Sequence, residues 1–237
     1  MMNPFLAEFI GTMIMLLLGN GVVANVVLNK TKGHNGGWIV ITFGWAIAVF
    51  VGVYITASSS GAHLNPIVSL ALAILGKLTW KDMSYYILSQ FLGAMMGALL
   101  VYLIYKQHYD ETEDTGLVKA TFCNEPAIRN VLHNLISEII ATFVLVIGIL
   151  FLTGAENSLG SLDALPVALL VLGIGLSLGG ATGYAINPAR DLGPRIIYAI
   201  LPIKHKDNAD WSYSWIPVIG PILGSMLAVL IFTILIK

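Results

Sequence analysis

Few residues in this chain carry chemistry, and they cluster. Gly183-Tyr184-Ala185-Ile186-Asn187-Pro188-Ala189-Arg190-Asp191 sets an amide, an arginine and a carboxylate within five positions, and Gly61-Ala62-His63-Leu64-Asn65-Pro66-Ile67 echoes its Gly-x-x-x-Asn-Pro pattern. Asn is a good helix N-cap and Pro a good first helical residue, so Asn65-Pro66 and Asn187-Pro188 each predict a helix start. A helix start carries unpaired N–H groups and roughly half a positive charge. Two of them facing each other repel cations. Asn65 and Asn187 then offer amide donors to a passing oxygen, a route by which neutral solutes cross while protons do not. Arg190 adds a fork of donors able to hold two neighbouring oxygens. The alternative is that Arg190 only pairs with Glu138 or Asp191. Glu8 and Glu138 read as braces that accept backbone N–H bonds, or as proton carriers. His63 reads as a packed loop residue, because no His, Cys or acidic cluster accompanies it.

The elements that must position these residues are membrane helices. The chain is 57% hydrophobic and 11% charged, where soluble globular domains carry about 25% charged residues. Its 237 residues leave room for about six spans. Net charge is −1, which leaves no nucleic-acid footprint. The single cysteine, Cys123, excludes an internal disulfide. Apolar runs predict spans over 3–28, 38–57, 83–105, 131–153, 164–180 and 211–236. Two shorter stretches, 64–75 and 187–200, begin at the Asn-Pro pairs and cannot cross a hydrocarbon core of about 30 Å. The polar segment 106–130 reads as an exposed loop, as does 154–163.

The order is span, span, half-helix, span, and then the same again. Ala7-Glu8-Phe9-Ile10-Gly11-Thr12 matches Ser137-Glu138-Ile139-Ile140-Ala141-Thr142, and Gln90-Phe91-Leu92-Gly93-Ala94 matches Pro221-Ile222-Leu223-Gly224-Ser225. The chain is thus read as a single all-α channel domain over 1–237, with repeats over 1–105 and 131–237. Three spans per repeat invert the second copy, an arrangement found in transporters and channels with midplane sites. No P-loop, nucleotide fingerprint, nucleophile elbow or metal spacing occurs, so no enzyme, cofactor or metal is expected.

Ser60-Gly61-Ala62-His63-Leu64-Asn65-Pro66 and Asn187-Pro188-Ala189-Arg190-Asp191-Leu192-Gly193-Pro194-Arg195 resemble the two signature motifs of the major intrinsic protein (aquaporin) family. Asp191 after the arginine, and Pro217-Val218, resemble its aquaglyceroporin, or bacterial glycerol facilitator, branch. The resemblance covers nearly the whole chain. It implies six transmembrane helices plus two re-entrant half-helices in a right-handed bundle, with a central constriction at Asn65 and Asn187. It further implies a selectivity filter at Trp45, Gly175, Tyr184 and Arg190, with Pro66, Pro188 and Asp191 in support. The activity it implies is passive conduction of glycerol and water, extending to undissociated lactic acid, dihydroxyacetone, urea and hydrogen peroxide. A proton-coupled transporter using Glu8 or Glu138 is the alternative. A homotetramer in the cell membrane with both termini cytoplasmic is also implied, although the cations Lys30, Lys32, Lys106, Lys119, Arg129, Lys204 and Lys206 then fall in external loops, against the positive-inside rule.

Two positions depart from the usual pattern. Ile67 stands where Ala is usual, which bears on loop packing or on the nearby pore. Tyr184 stands where Phe is usual, and its hydroxyl either adds a polar contact in the pore or hydrogen-bonds outside it.

Overall fold

The protein is described from a computed structural model, covering residues 2–152 and 162–236. Among the described residues the regular structure is helical: α1 (Pro4–Val27), α2 (Trp38–Ser60), α3 (Pro66–Ile74), α4 (Trp80–Glu111), α5 (Thr115–Ala120), α6 (Val131–Leu152), α7 (Ala164–Ser177), α8 (Pro188–Ile200) and α9 (Ile216–Leu235). Local sequence explains most ends. Asn3 and Thr79 accept from the backbone N–H groups of Phe5 and Asp82, and Pro4 follows the Asn3 cap. α2 stops at Gly61, whose φ of 80° is a left-handed C-cap that glycine adopts without penalty.

Five of these helices (α1, α2, α4, α6 and α9) have the length and apolarity to cross a membrane. α7 is apolar and described over 14 residues. The half-helices α3 and α8 have 9 and 13 residues. At 1.5 Å per residue they are about 13 and 20 Å long, so placed end to end they match one hydrocarbon thickness of about 30 Å.

The two halves repeat the same contact. α1 packs on α4, and α6 on α9. The approach is backbone-close: a Cβ on Gly93 would lie 2.4 Å from Phe9 O, and one on Gly224 2.4 Å from Ile139 O. Glycine is therefore required at both crossings. α2 packs on α7, α4 on α8 and α3 on α9, which encloses the half-helices.

Three expectations shift. The third span starts earlier and ends later than 83–105, because Thr79 caps it and the helix runs on to Glu111. The last span begins at Ile216, with residues 211–215 forming turns. The stretch 106–130 is not an exposed loop throughout. Tyr109, Val118, Phe122, Cys123 and Asn124 are buried, and Tyr109, Phe122 and Tyr198 stack in series at 5.6 and 5.5 Å. Its charges sit among apolar residues that cover the end of α8. Residue 153 and the expected loop 154–163 lie outside the described residues, except for Leu162 and Asp163.

Candidate functional site

The segments leading into α3 and α8 share an unusual backbone. Gly61, Ala62 and Leu64 have φ of 80°, 49° and 49°; Gly183, Tyr184 and Ile186 have 76°, 39° and 45°. Non-glycine residues at positive φ are strained, so something must hold them. In each half a buried glutamate does so. Glu8 Oε1 accepts from Ser60 Oγ (2.6 Å) and His63 N (2.9 Å), and its Oε2 from Leu64 N and Gln90 Nε2 (2.8 Å each). Glu138 Oε1 accepts from Thr182 Oγ1 (2.6 Å) and Ala185 N (3.0 Å), and its Oε2 from Ile186 N (2.9 Å). A carboxylate is an acceptor-only group that suits converging donors. Both acids are fully buried and accept on both oxygens, and the structure gives no support to proton carriage.

Those braced segments deliver Asn65 and Asn187. Asn65 Oδ1 accepts from Ile67 N (2.9 Å), and Asn187 Oδ1 from Ala189 N (3.0 Å) and Arg190 N (3.2 Å). Each caps its own half-helix, with Pro66 and Pro188 next in line. Each also reaches across: Asn65 Nδ2 donates to Ile186 O and Asn187 Nδ2 to Leu64 O, both at 2.9 Å. The helix N-termini therefore meet through a reciprocal pair of bonds. An amide NH₂ has two hydrogens, so each Asn keeps one donor beyond that bond, and both residues line a cavity between the halves.

That cavity runs from His63 and Asp163 past the two asparagines to Arg190, with Val49, Val53 and Leu145 on its apolar side. A second cavity opens beyond, lined by Trp38, Asn124 and Glu125. Trp45, Tyr184 and Arg190 line both, and so form the neck between them. Arg190 Cζ lies 4.2 Å from the Trp45 ring centroid and 6.0 Å from that of Tyr184, within cation–π range. Gly175 backs the Tyr184 ring: a Cβ there would lie 3.1 Å from Cζ and 3.2 Å from the hydroxyl. Gly19 makes room for Trp45 in the same way, at 2.5 Å from the indole.

Arg190 makes no ion pair with Glu138 or Asp191 among the described residues. Its Nη1 donates to Asn124 Oδ1. Asn124 is itself tied down at every polar atom. Its N–H donates to Asp191 Oδ1 (2.8 Å), its carbonyl accepts from Arg195 Nη2 (2.9 Å), and its Nδ2 donates to Gly183 O (2.7 Å). Asp191 takes Arg195 in a bidentate pair, both contacts at 2.8 Å, and Arg195 reaches on to Ala209 O and Asp210 O. Asp191 thus acts behind Arg190 and touches neither cavity.

The remaining expected residues have plain places. His63 Nδ1 bonds Ser69 Oγ at 3.0 Å and its ring packs edge-on to Tyr86, so it is a packed loop residue at the cavity mouth. Ile67 is buried away from the cavity, among Val146, Leu150, Ala228 and Phe232. Its extra bulk fills the packing between α3, α6 and α9. Sequence reasoning missed Asn124, Arg195, Gln90 and Trp38. Only Arg195 carried a signal, as a charge four residues after Asp191 on one helix.

The fold is that of a multi-pass helical membrane protein with paired re-entrant half-helices. The chain matches the family model described as Major intrinsic protein over residues 1–232, and it belongs to that family. Over 234 residues it is 55% identical to the glycerol uptake facilitator protein of Streptococcus pneumoniae, covering 99% of this chain and 100% of that one. It is 56% identical over 226 residues to the probable glycerol uptake facilitator protein of Thermotoga maritima, covering 95% and 96%. The solved aquaglyceroporin of Plasmodium falciparum superposes with a TM-score of 0.86 at 33% identity, covering 98% of this chain and 96% of that one.

Proposed function

We propose that this protein is a passive channel for small neutral solutes, with glycerol and water the chief cargo. The observation that carries the reading is the pair of half-helix N-termini joined by Asn65 and Asn187, in line with an arginine-lined neck. Two positive helix ends oppose protons and other cations at the centre. Trp45, Gly175, Tyr184 and Arg190 form the selectivity filter, where the aromatic faces take the carbon edge of a polyol and the guanidinium takes its hydroxyls. Undissociated lactic acid, dihydroxyacetone, urea and hydrogen peroxide fit the same chemistry, whereas the lactate anion would lose its hydration against the apolar wall. The names of the bacterial relatives and of the solved neighbour support glycerol. The working form is a homotetramer in the cell membrane with both termini cytoplasmic and one channel per subunit.

The test is osmotic. Proteoliposomes given a glycerol gradient in stopped flow should shrink and reswell far faster than empty vesicles, with no dependence on a proton gradient. Arg190→Val should speed larger polyols relative to glycerol and open a proton leak. Unchanged solute selection and unchanged leak in that variant would remove Arg190 from the filter.

A further inference from the structure

Seven buried side-chain polar atoms among the described residues have no hydrogen-bond partner. Two of them, Trp45 Nε1 and Tyr184 Oη, belong to the three residues that form the neck between the two cavities. The third neck residue is Arg190, whose Nη1 is engaged by Asn124. A buried hydroxyl left unpaired is costly, and no protein group relieves it at Tyr184. The Tyr184 ring is fixed from several sides. Trp38 packs edge-on to it with centroids 5.9 Å apart, while the Trp38 indole donates to Gly175 O at 3.0 Å. A Cβ on Gly179 would come within 2.3 Å of the ring. The hydroxyl stands 3.2 Å from where a Cβ on Gly175 would project. Tyr184 therefore places an unpaired oxygen in the space that a side chain at 175 would fill.

We propose that the Tyr184 hydroxyl is a solute-contacting, specificity-determining group of this neck, which selects for polyols with a third oxygen beyond the two that Arg190 holds. The inference rests on the channel reading above. A solute that sheds its water in the neck keeps only the hydrogen bonds the wall supplies. Arg190 serves two adjacent hydroxyls of a triol, and Tyr184 Oη, both donor and acceptor, serves the third. A diol of the same carbon skeleton has no third hydroxyl to satisfy, and its methyl group meets the aromatic faces. Trp45 Nε1 is a further unpaired donor among the neck residues.

The experiment compares glycerol with 1,2-propanediol in proteoliposomes of wild type and Tyr184→Phe, with equal amounts of monodisperse protein. Phenylalanine keeps the ring and its packing and removes only the oxygen. The glycerol-to-propanediol permeability ratio should fall by about two- to tenfold, the range carried by one neutral hydrogen bond, because glycerol flux falls more than propanediol flux. An unchanged ratio, or an equal fall for both solutes, overturns the inference while leaving the channel reading intact. Absence of glycerol flux in the wild type overturns the channel reading, and this inference with it.

Discussion

Arg190 owes its position to its neighbours. Its side chain lies against Trp45 and is tied to Asn124, and Asn124 is held by the buried Asp191–Arg195 pair through its backbone. Removing the Asn124 side chain therefore frees Arg190 without dismantling that pair. Asn124→Ala should keep its Tm within a few degrees but loosen selection, raising five-carbon polyol flux relative to glycerol by about fivefold or more, as expected for loss of a charge-assisted bond. Stopped-flow reswelling with glycerol and xylitol checks it, and an unchanged ratio would show that Asn124 does not set the arginine. Asn65, Asn187 and Arg190 could be picked out from sequence because a helix cap and its neighbours act over a few residues. Asn124 could not, because it meets Arg190 from 66 positions away and its neighbours read as a polar loop. The aromatic residues in that loop, Tyr109 and Phe122, were the only sign that it folds back onto the protein.

At the scale of elements, the half-helices depend on two glutamates. Each holds a loop whose positive φ values would otherwise relax. Glu138→Gln replaces one acceptor oxygen by an amide that confronts N–H donors. It should cost about 1–3 kcal/mol through unsatisfied buried groups, seen as a Tm lowered by several degrees in detergent, together with reduced glycerol flux. A variant with unchanged Tm and flux would contradict the bracing role. The same residues answer the proton-carrier alternative, since an acid occupied on both oxygens by loop donors is built in. The element boundaries that sequence placed well were those with local punctuation, namely Pro4, Pro66 and Pro188. Others it misplaced: the second span runs past 57 to Ser60, and the third starts at the Thr79 cap and not at 83. Polar residues after Tyr105 hid the continuation of α4, because helix propensity there is carried by charged residues whose exposure cannot be read from composition. The bulk of Ile67 was visible, but its direction was not, since only the packing of α3 on α6 and α9 defines it.

Across the whole molecule, the charges form a girdle around the Arg190-side mouth. Lys30 pairs with Glu111, Lys106 with Asp110, Lys119 with Glu125 and Arg129 with Asp210, while Lys206 caps the carbonyls that end α8. Lys30–Glu111 and Lys106–Asp110 are the more exposed pairs and contribute little each. Asp210 differs, because its backbone also receives Arg195. Burial alone would push its carboxyl up, but Arg129 and Ser212 outweigh that and hold it below the usual carboxylate range. A depressed pKa contributes stability above the unfolded value, near 3.9, and that contribution is lost as pH falls through the folded value. The Tm gap between wild type and Asp210→Asn should thus be flat from about pH 8 to pH 5 and close only below about pH 4; a gap that closes near neutrality would contradict the assignment. The girdle also bears on orientation. Counting cations by sequence sets them all equal, yet here most are already matched to acids or helix ends.

The central claim is that solute moves while protons do not. It is tested most directly by recording glycerol and proton flux together, in proteoliposomes loaded with a pH-sensitive dye and held at a potassium–valinomycin potential. The expected result is rapid glycerol entry with internal pH no different from that of empty vesicles, with or without the imposed potential. Proton entry in fixed proportion to glycerol, or glycerol entry only when a proton gradient is applied, would contradict it.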